Sequence, residues 1–393
     1  MLAVPQGRCV LTSDEAAAFA VHLARAQAIA CYPITPQTII VERLAELAAG
    51  RGDVEFATLE SEHSMVAWAL AASRAGVRAF TATSSQGLLY AHEQLHRAGR
   101  ERVPLVMVDV NRAVMSPWSL EADHSDAMSQ RDTGWIQLHC SSAQEVLDTV
   151  LCAYRVAETA MLPVLVCLEG FLLSHTAEVL EVPSQEEVDA FLPPYAPDAE
   201  WLLDPDRPRN YAAMPEARDY AAFQRIVAEA LDGSAAVADA VAAEFTARFG
   251  RRKVAALDVA GAPEGAHAIV ALGTIADTAL ELLEDEPGLR IVRVHRYRPF
   301  PAADLAQALA GARWVSVIDR VPAFGALGPL GADVRALGLP GATVVDFAAG
   351  VGGVDVTPQT LRWVLAATRA AGAAGTWGAA ASRLPVWVPE PVA

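Results

Sequence analysis

The stretch Tyr32-Pro33-Ile34-Thr35-Pro36 decides the fold, because it marks the end of a buried strand and the start of a stiff turn. The apolar run just before it, residues 28–32, predicts the strand. Each proline fixes its own φ near about −65° and moves the preceding residue out of the helical region. Thr35 is therefore expected just past the carboxyl end of a strand, where open α/β sheets bind ligands.

The neighbouring segments leave a second interpretation of this turn open. Upstream, Thr12 or Ser13 can cap a helix whose apolar residues recur at helical spacing. Downstream, Thr35 or Thr38 could cap the following helix, which would make the turn an ordinary strand-to-helix connection. Spacing alone does not separate a cap from a binding site.

Short apolar strands alternate with helical stretches over residues 14–175. The predicted strands are Ala28–Tyr32, Val54–Thr58, Ala79–Thr83, Leu105–Val110, Trp135–Cys140 and Pro163–Leu168. Such alternation is typical of a doubly wound α/β domain with a mostly parallel sheet. We therefore predict a first α/β domain over residues 1–180.

The pattern changes after residue 180. Residues 181–255 are acidic, aromatic and rich in proline and then helical from Tyr220 to Phe249, which predicts a connecting arm. A second, smaller α/β domain is predicted over residues 256–367, with strands at Ala268–Gly273, Ile291–His295, Trp314–Asp319 and Ala342–Asp346. Residues 368–393 are rich in alanine and glycine, and we expect an extension that packs on another surface or stays mobile.

Composition restricts the classes of function. The chain has 393 residues, 53% of them hydrophobic, and a formal net charge of −17 from 30 Lys+Arg and 47 Asp+Glu. This charge opposes general electrostatic binding to nucleic acid or to an anionic membrane. Neither a secretion signal nor an apolar run long enough to span a membrane is recognised, so a cytoplasmic location is expected.

The five cysteines argue against a metal centre on this chain. Cys9, Cys31, Cys140, Cys152 and Cys167 lie far apart, with no CxxC motif and no His/Cys cluster. Iron–sulfur clusters and structural zinc need thiolates at close spacing. We therefore expect buried free thiols, with neither an iron–sulfur cluster nor another metal site on this chain.

Candidate chemical groups follow three of the predicted strands. Glu62 opens a helix, where it could cap the amides or bind a ring nitrogen of a ligand. The segment 81–87 (TATSSQG) places small hydroxyl residues at a helix start, although it has neither GxGxxG nor P-loop spacing. Arg112 follows another strand, where its guanidinium could bind a carboxylate or serve as a surface or capping group.

A polar connection lies further along the chain. Residues 123–126 (DHSD) and 130–135 (QRDTGW) concentrate acids, bases and a tight turn. They lack the ligand spacing of HExxH and similar metal motifs. A hydrogen-bonded functional loop is the favoured interpretation.

Taken in order, these segments resemble a known family. YPITP at 32–36, Ser61-Glu62, TSSQGL at 83–88, VNRA at 110–113, DHSD and QRDTGWIQ at 130–137 resemble the α subunit of the thiamine-diphosphate-dependent 2-oxoacid:ferredoxin oxidoreductases, most closely the pyruvate synthase type. RPFP at 298–301, FGALGPL at 324–330 and GVGGVDVTP at 350–358 are similar to the second domain of that family. The resemblance covers roughly residues 10–180 and 255–365.

The resemblance implies roles for individual residues. The first domain would be the pyrimidine-binding type, and the second would resemble the transketolase C-terminal domain. Glu62 would hydrogen-bond the aminopyrimidine of thiamine diphosphate and act as the catalytic acid–base residue. Thr35 and Arg112 would bind the 2-oxoacid. The residues implied in cofactor binding are Tyr32, Pro33, Ile34, Glu62, Ser84, Ser85 and Gln86.

The resemblance also implies partners. The GDG…N signature for the diphosphate and Mg²⁺ is missing from the sequence, so both are expected on a β subunit. The 4Fe-4S clusters would reside on ferredoxin-like γ and δ subunits. The reaction would be oxidative decarboxylation of a 2-oxoacid with coenzyme A, with ferredoxin or flavodoxin as acceptor, or its reverse. The assembly implied is a dimer of heteromers.

Several alternatives remain open at this point. Pyruvate is the first candidate substrate, but relatives that accept 2-oxoglutarate, oxalate, branched-chain or aryl 2-oxoacids share the scaffold. The segment Glu169-Gly170-Phe171 departs from the usual Asp-Gly-Phe of the family. Half of a transketolase-like or dehydrogenase-type thiamine enzyme is a second class of function, and a scaffold subunit without chemistry is a third.

Overall fold

The computed structural model describes residues 4–253, 255–374 and 384–389, and two large β-sheets organise them. The strands are β1 (Gly7–Thr12), β2 (Ala28–Cys31), β3 (Glu55–Thr58), β4 (Ala79–Thr83), β5 (Val106–Asn111), β6 (Ile136–His139), β7 (Val164–Glu169), β8 (Ala177–Val182), β9 (Leu257–Gly261), β10 (His267–Ala271), β11 (Leu289–Val294), β12 (Arg296–Arg298), β13 (Trp314–Asp319), β14 (Thr343–Ala348) and β15 (Val386–Trp387).

Helices cover both faces of these sheets. They are α1 (Ser13–Leu23), α2 (Thr38–Ala48), α3 (Glu62–Arg74), α4 (Ser85–Tyr90), α5 (His92–Arg100), α6 (Ser125–Met128), α7 (Ala143–Ala160), α8 (Gln185–Phe191), α9 (Ala217–Phe249), α10 (Thr274–Leu280), α11 (Ala302–Ala308), α12 (Pro329–Ala336) and α13 (Pro358–Ala374). Over the described ranges, no helix combines the length and apolarity needed to cross a membrane.

The first sheet has seven strands in the order β12-β6-β7-β5-β4-β2-β3, and the six strands from β6 to β3 are parallel. Its central strands β4, β5 and β7 are buried along their whole length, as expected for a parallel sheet covered on both faces. One apolar core includes α1, α2 and α7, and a second lies on the side of α3 and α5. The doubly wound α/β class predicted from the sequence is confirmed.

The predicted strands of this sheet differ from the observed ones by at most one residue at each end. The predicted helix cap is also present, because the Thr12 hydroxyl accepts a hydrogen bond from the Glu15 amide at 3.3 Å. Strands β1 and β8, which were not predicted from the sequence, form a separate antiparallel pair. The helix start expected at segment 81–87 is present, and it leads into two short helices, α4 and α5.

The second sheet has six strands in the order β15-β14-β13-β10-β11-β9. The extension expected from residue 368 begins inside α13, whose Thr368 is fully buried, because the helix continues to pack on β13 and β14. Residues 386–387 then join the sheet edge in parallel with β14, so this segment packs on the second domain. The rest of the predicted extension, residues 375–383 and 390–393, lies outside the described residues.

The connecting arm contains α9, a helix of 33 residues. Its carboxyl-terminal half packs on α7, and Phe245 stacks with Phe191 and Phe249 in one aromatic cluster. The two sheets are further linked by β12, which leaves the second domain and pairs antiparallel with β6 at the edge of the first sheet. The arm and this strand together fix the first domain to the second.

Candidate active site

Three parallel strand ends bring the predicted site residues to one edge of the first sheet. Strands β5, β4 and β2 are neighbours, and their carboxyl ends lead into Arg112, the segment 84–86 and the turn around Thr35. Parallel strands end at the same edge, so residues far apart in sequence meet there. The Arg112 Nη1 donates a hydrogen bond of 2.6 Å to the Thr35 carbonyl oxygen across 77 positions of sequence.

Arg112 is a buried cation without an anionic partner. The residue is 3% exposed, its Nη2 donates to Gln86 Oε1, and its Nε has no hydrogen-bond partner. Within the part of the chain that the structure describes, no carboxylate forms an ion pair with this guanidinium. Burial lowers the pKa of Arg112, against the opposing effect of Asp126. A buried guanidinium with an unused donor is suited to an anionic ligand.

Glu62 and Glu60 differ in what they do at the start of α3. Ser61 caps the helix by accepting from the Ser64 amide at 3.3 Å, and the exposed Glu60 accepts from the Ser64 hydroxyl. Glu62 is 6% exposed instead, and burial raises its pKa although its own backbone amide lowers it. Ser61 therefore caps the helix, Glu60 binds the Ser64 side chain, and Glu62 remains available for another partner.

Gly87 brings α4 close to Glu62. A Cβ atom at Gly87 would lie 2.5 Å from Glu62 Oε1 and 2.4 Å from Thr83 Oγ1, so a larger residue here would displace these two side chains. The Thr83 hydroxyl is buried and has no hydrogen-bond partner among the described residues. A buried carboxyl and an unsatisfied hydroxyl side by side fit the polar edge of a heterocycle that both donates and accepts hydrogen bonds.

The hydroxyls of Ser84 and Ser85 point inward. Ser84 Oγ donates to the Val110 carbonyl and Ser85 Oγ to the Ala113 carbonyl, each at 2.7 Å, and both residues are fully buried. In the structure these serines hold the ends of β4 and β5 together. Around the turn, Tyr32 and Ile34 are half-buried, whereas Pro33 and Thr35 are exposed.

Asp126 organises the loops that carry the site. Its carboxylate accepts hydrogen bonds from the amides of Ser85 at 2.9 Å and Arg112 at 2.8 Å, and from Asn111 Nδ2 at 3.0 Å. Burial raises the pKa of Asp126 to about 6 although these donors lower it. The segment 123–126 was predicted to be a hydrogen-bonded loop, but the sequence did not reveal which of its acids makes the contacts.

Sequence reasoning also missed Gln37, Thr83 and Gly87 as individual residues of this site. Gln37 is fully buried, donates to the Ala82 carbonyl at 2.7 Å, and its Oε1 has no hydrogen-bond partner within the described ranges. Its position directly after the Pro36 turn was the available signal. Thr83 and Gly87 lay in a segment recognised for its helix start rather than for these side-chain contacts.

Glu169 lies at the junction between the two domains. It is 1% exposed, and its carboxylate contacts His124 Nε2 at 3.0 Å, Arg320 Nε at 3.2 Å and the amide of Thr274 at 3.3 Å. Burial would raise the pKa of Glu169, but Arg320, His124 and Thr274 together lower it to about 2. The family departure noted in the sequence is therefore a structural ion-pair centre.

All five cysteines are free thiols, and Cys31, Cys140, Cys152 and Cys167 are buried. Cys140 lies near Glu145 and His295, with their ligand atoms within 4.8 Å of one another. Glu145 is already paired with Arg293 at 2.6 Å, and burial raises the pKa of Cys140 to about 12. This group is accounted for by packing and ion pairing.

Comparison with known proteins shows the class of this chain. Residues 19–242 match the family described as pyruvate flavodoxin/ferredoxin oxidoreductase, thiamine diphosphate-binding, and residues 266–361 match the pyruvate:ferredoxin oxidoreductase core domain II. The chain therefore belongs to the family of 2-oxoacid:ferredoxin oxidoreductase α subunits, and its first domain is of the thiamine-diphosphate-binding type.

Two groups of relatives are similar to it over nearly their whole length. The chain is 38% identical to the pyruvate synthase subunit PorA of Methanothermobacter thermautotrophicus, covering 94% of this chain and 97% of that one. It is 40% identical to the ketoisovalerate oxidoreductase subunit VorA of Pyrococcus horikoshii, covering 90% and 91%. These relatives are enzyme subunits that act on different 2-oxoacids, so they do not settle the substrate.

Solved structures support the fold. A 2-oxoglutarate:ferredoxin oxidoreductase from Magnetococcus marinus superposes with a TM-score of 0.71 at 19% identity, covering 91% of this chain and 64% of that one. A split-gene transketolase, described as an inactive β4 tetramer, gives a TM-score of 0.52 at 15% identity, covering 92% and 98%. At these identities the likeness concerns the architecture alone.

Proposed function

We propose that this chain forms one wall of an active site in which Arg112 and Thr35 bind a 2-oxoacid and Glu62 binds the pyrimidine of thiamine diphosphate. The observation that carries the proposal is the buried, unpaired guanidinium of Arg112. Arg112 bonds to Gln86, and Glu62 abuts the next residue, Gly87. An anion site and an acid are therefore joined by two consecutive residues.

Arg112, Thr35 and Glu62 have different roles in this proposal. Arg112 offers the substrate carboxylate its free Nε–H and the remaining hydrogens of its fork, and Thr35, whose carbonyl binds Arg112 Nη1, would offer its exposed side-chain hydroxyl. Glu62 holds or moves a proton at a ring nitrogen, for which a carboxyl with a raised pKa is suited. Thiamine diphosphate, when bound, supplies the nucleophilic carbon for the keto group.

The remaining contacts are proposed from position. Tyr32, Pro33 and Ile34 would line the ring along the turn. Gln86 would reach the cofactor through its buried Nε2, for which the described part of the chain provides no hydrogen-bond partner. Ser84 and Ser85 would act by fixing the loop, since their hydroxyls are already bonded.

Partner subunits complete the proposed enzyme. The diphosphate and Mg²⁺ would be held by a β subunit, and 4Fe-4S clusters would reside on ferredoxin-like γ and δ subunits in a dimer of heteromers. Coenzyme A would accept the acyl group, and ferredoxin or flavodoxin would accept the electrons in the cytoplasm. Within the chain, residues 1–180 would bind the pyrimidine, 181–255 would connect, and 256–367 would support the site.

Pyruvate is our first candidate substrate and a branched-chain 2-oxoacid the second. The second has specific support, because the VorA relative is as similar to this chain as the PorA relative is. The two substrates differ in the bulk of the group next to the keto carbon. Discrimination between pyruvate and a branched-chain 2-oxoacid would therefore depend on the residues around Arg112.

The experiment reconstitutes the complex from this chain and the β, γ and δ subunits of the proposed enzyme. Reduction of a viologen dye is measured with pyruvate, 2-oxoisovalerate and 2-oxoglutarate, with and without thiamine diphosphate and coenzyme A. We expect reduction that requires both additions, and an Arg112→Ala complex that assembles but needs far more oxoacid. A fully assembled complex that reduces the dye with none of the oxoacids would overturn the proposal.

A further inference from the structure

The loop that follows Arg112 in the sequence folds back, so that one of its side chains lies beside the Arg112 guanidinium. In the 113–121 loop, the Ala113 amide donates to the Glu121 carbonyl at 3.0 Å, which closes the loop at its base. Near its tip, the centroid of the Trp118 ring lies 5.8 Å from Arg112 Cζ. The indole therefore stands beside the guanidinium, within the distance at which a cation and an aromatic face attract each other.

Trp118 is 68% exposed in this chain, an unusual position for so large an apolar side chain. Most of its surface is not used for packing within the described residues. An indole beside a buried cation can shield a bound carboxylate from water and offer an apolar wall to the group attached to it. Its position suits contact with a small ligand at Arg112.

The second domain contacts the base of this loop. A Cβ atom at Gly353 would lie 2.2 Å from Glu121 Cβ, and Gly353 has φ +87°, so the glycine turn 350–353 packs directly against the loop base. Ser119 Oγ bridges the two, as it accepts from the Glu121 amide at 3.1 Å and lies 3.5 Å from the Gly352 carbonyl. The glycine-rich motif thus contacts the loop that carries Trp118, at the residue next to it and at the loop base.

We propose that Trp118 forms a wall of the 2-oxoacid site and limits the size of the substrate side chain, with the glycine turn 350–353 as its support. The inference rests on the proposed function, because it assigns the oxoacid to Arg112. It names a specificity-determining residue in the first domain and a positioning role for the second domain. Trp118 contacts the substrate, and the residues of the turn act only through the loop.

The test uses the reconstituted complex and compares kcat/KM for pyruvate, 2-oxobutyrate and 2-oxoisovalerate. Trp118→Ala is expected to shift the 2-oxoisovalerate to pyruvate ratio roughly tenfold toward the larger acid, because one or two methyl groups in an apolar site discriminate by about that factor. Trp118→Phe should shift it less. Phe223→Ala, an exposed aromatic on α9, is the matched control and should leave the ratio unchanged.

Support by the second domain is tested with Gly353→Ala, expected to change the ratio in the same direction as Trp118→Ala. Ser119→Ala removes the bridging hydroxyl without a backbone clash and serves if the glycine variant does not fold. Unchanged ratios in assembled Trp118 variants would overturn the inference, as would an equal loss of kcat/KM for all three oxoacids. An unmodified complex without oxoacid-dependent activity would instead overturn the proposed function.

Discussion

Two buried groups at the same edge of the first sheet have opposite surroundings. Strands β5 and β7 are neighbours, and Asn111, next to Arg112, is the register partner of Glu169. Around Glu169, the carboxylate contacts an arginine, a histidine and a threonine. Around Arg112 and Glu62, neither the guanidinium nor the carboxyl has an oppositely charged partner in the described chain.

The difference appears in the pKa values. Glu169 and Glu62 are both buried, yet the pKa of Glu169 is lowered to about 2 and the pKa of Glu62 is raised. Burial acts in the same direction on both, so the neighbouring cations decide the outcome. A paired charge stabilises the domain junction, whereas an unpaired one retains the capacity to bind a ligand at a cost in stability.

The largest expected effect is the loss of activity in Glu62→Gln. The amide cannot exchange a proton with a ring nitrogen, so we expect oxoacid-dependent dye reduction to fall about 100-fold to 10,000-fold in an assembled complex. Glu60→Gln, altered at the exposed glutamate two positions away that binds the Ser64 hydroxyl, should retain most of the activity. Near-normal rates in Glu62→Gln would refute the role of this residue.

Glu62→Gln also tests the difference between the two glutamates through the thermal stability of the chain. Because the pKa of Glu62 is raised by folding, the folded chain binds this proton more tightly, and stability declines as the pH rises above the ordinary glutamate value. Glu62→Gln should therefore melt at the same or a higher temperature than the unmodified chain, with a larger advantage at about pH 8 than at about pH 5. Thermal melts of the isolated chain measure this difference.

Arg112→Ala is expected to have the next largest effect. Removing one partner of a buried charge contact costs about 2–5 kcal/mol, so kcat/KM for the oxoacid should fall about 30-fold or more. The requirement for thiamine diphosphate should change much less. Arg225→Ala, on an exposed part of α9, is the control, and an equal effect on both requirements would indicate a structural arginine.

Breaking the junction should destabilise the chain rather than remove its chemistry. Glu169→Gln leaves the buried Arg320 without its carboxylate, and we expect a loss of about 3 kcal/mol in the free energy of unfolding at neutral pH. Since the folded pKa is about 2, the contribution of Glu169 is complete above the ordinary value of 4.5 and is lost as the pH falls toward 2.

The free energies of unfolding of Glu169→Gln and of the unmodified chain should therefore converge as the pH falls. Denaturant unfolding of both chains from neutral to acidic pH measures this. Glu229→Gln, at an exposed position on α9, is the control. A constant difference between the two chains across the acid range would show that Glu169 is not stabilised by its cations.

The smallest expected effect concerns single hydroxyls. Thr83→Val removes a buried hydroxyl that has no hydrogen-bond partner among the residues described, and it should stabilise the isolated chain by about 1 kcal/mol. Thr81→Val, two residues earlier on β4, removes a hydroxyl that donates to the Ala30 carbonyl at 3.0 Å and should destabilise it by about the same amount. Thermal melts that moved both variants in one direction would contradict this distinction.

The central strands could be predicted because they are short apolar runs bounded by turn residues, and both of their faces are covered. Strand β12 could not, since its Arg296-Tyr297-Arg298 reads as polar and its arginines are satisfied only by partners such as Asp239 and Asp333. Strands β1 and β8 alternate in burial over only six residues each, which gives a weak signal.

In the site, too, some features could be predicted from the sequence and others could not. Strand ends and turn chemistry predicted that Thr35, Glu62 and Arg112 lie near one edge of the sheet, and the structure places them there. The approach of Gly87 to Glu62 arises from the packing of α4 against α3, which sequence spacing does not encode. The inward direction of the Ser84 and Ser85 hydroxyls likewise depends on carbonyls from β5 and the loop that follows it.

Strand β12 has a consequence for biosynthesis. Until residue 298 has left the ribosome, β6 remains an open edge of a nearly complete parallel sheet. Such an edge is a template for pairing with other chains, so the nascent first domain is exposed to aggregation while the arm and the first strands of the second domain are made. A gene split at the arm would produce a first half whose sheet edge must be closed in trans.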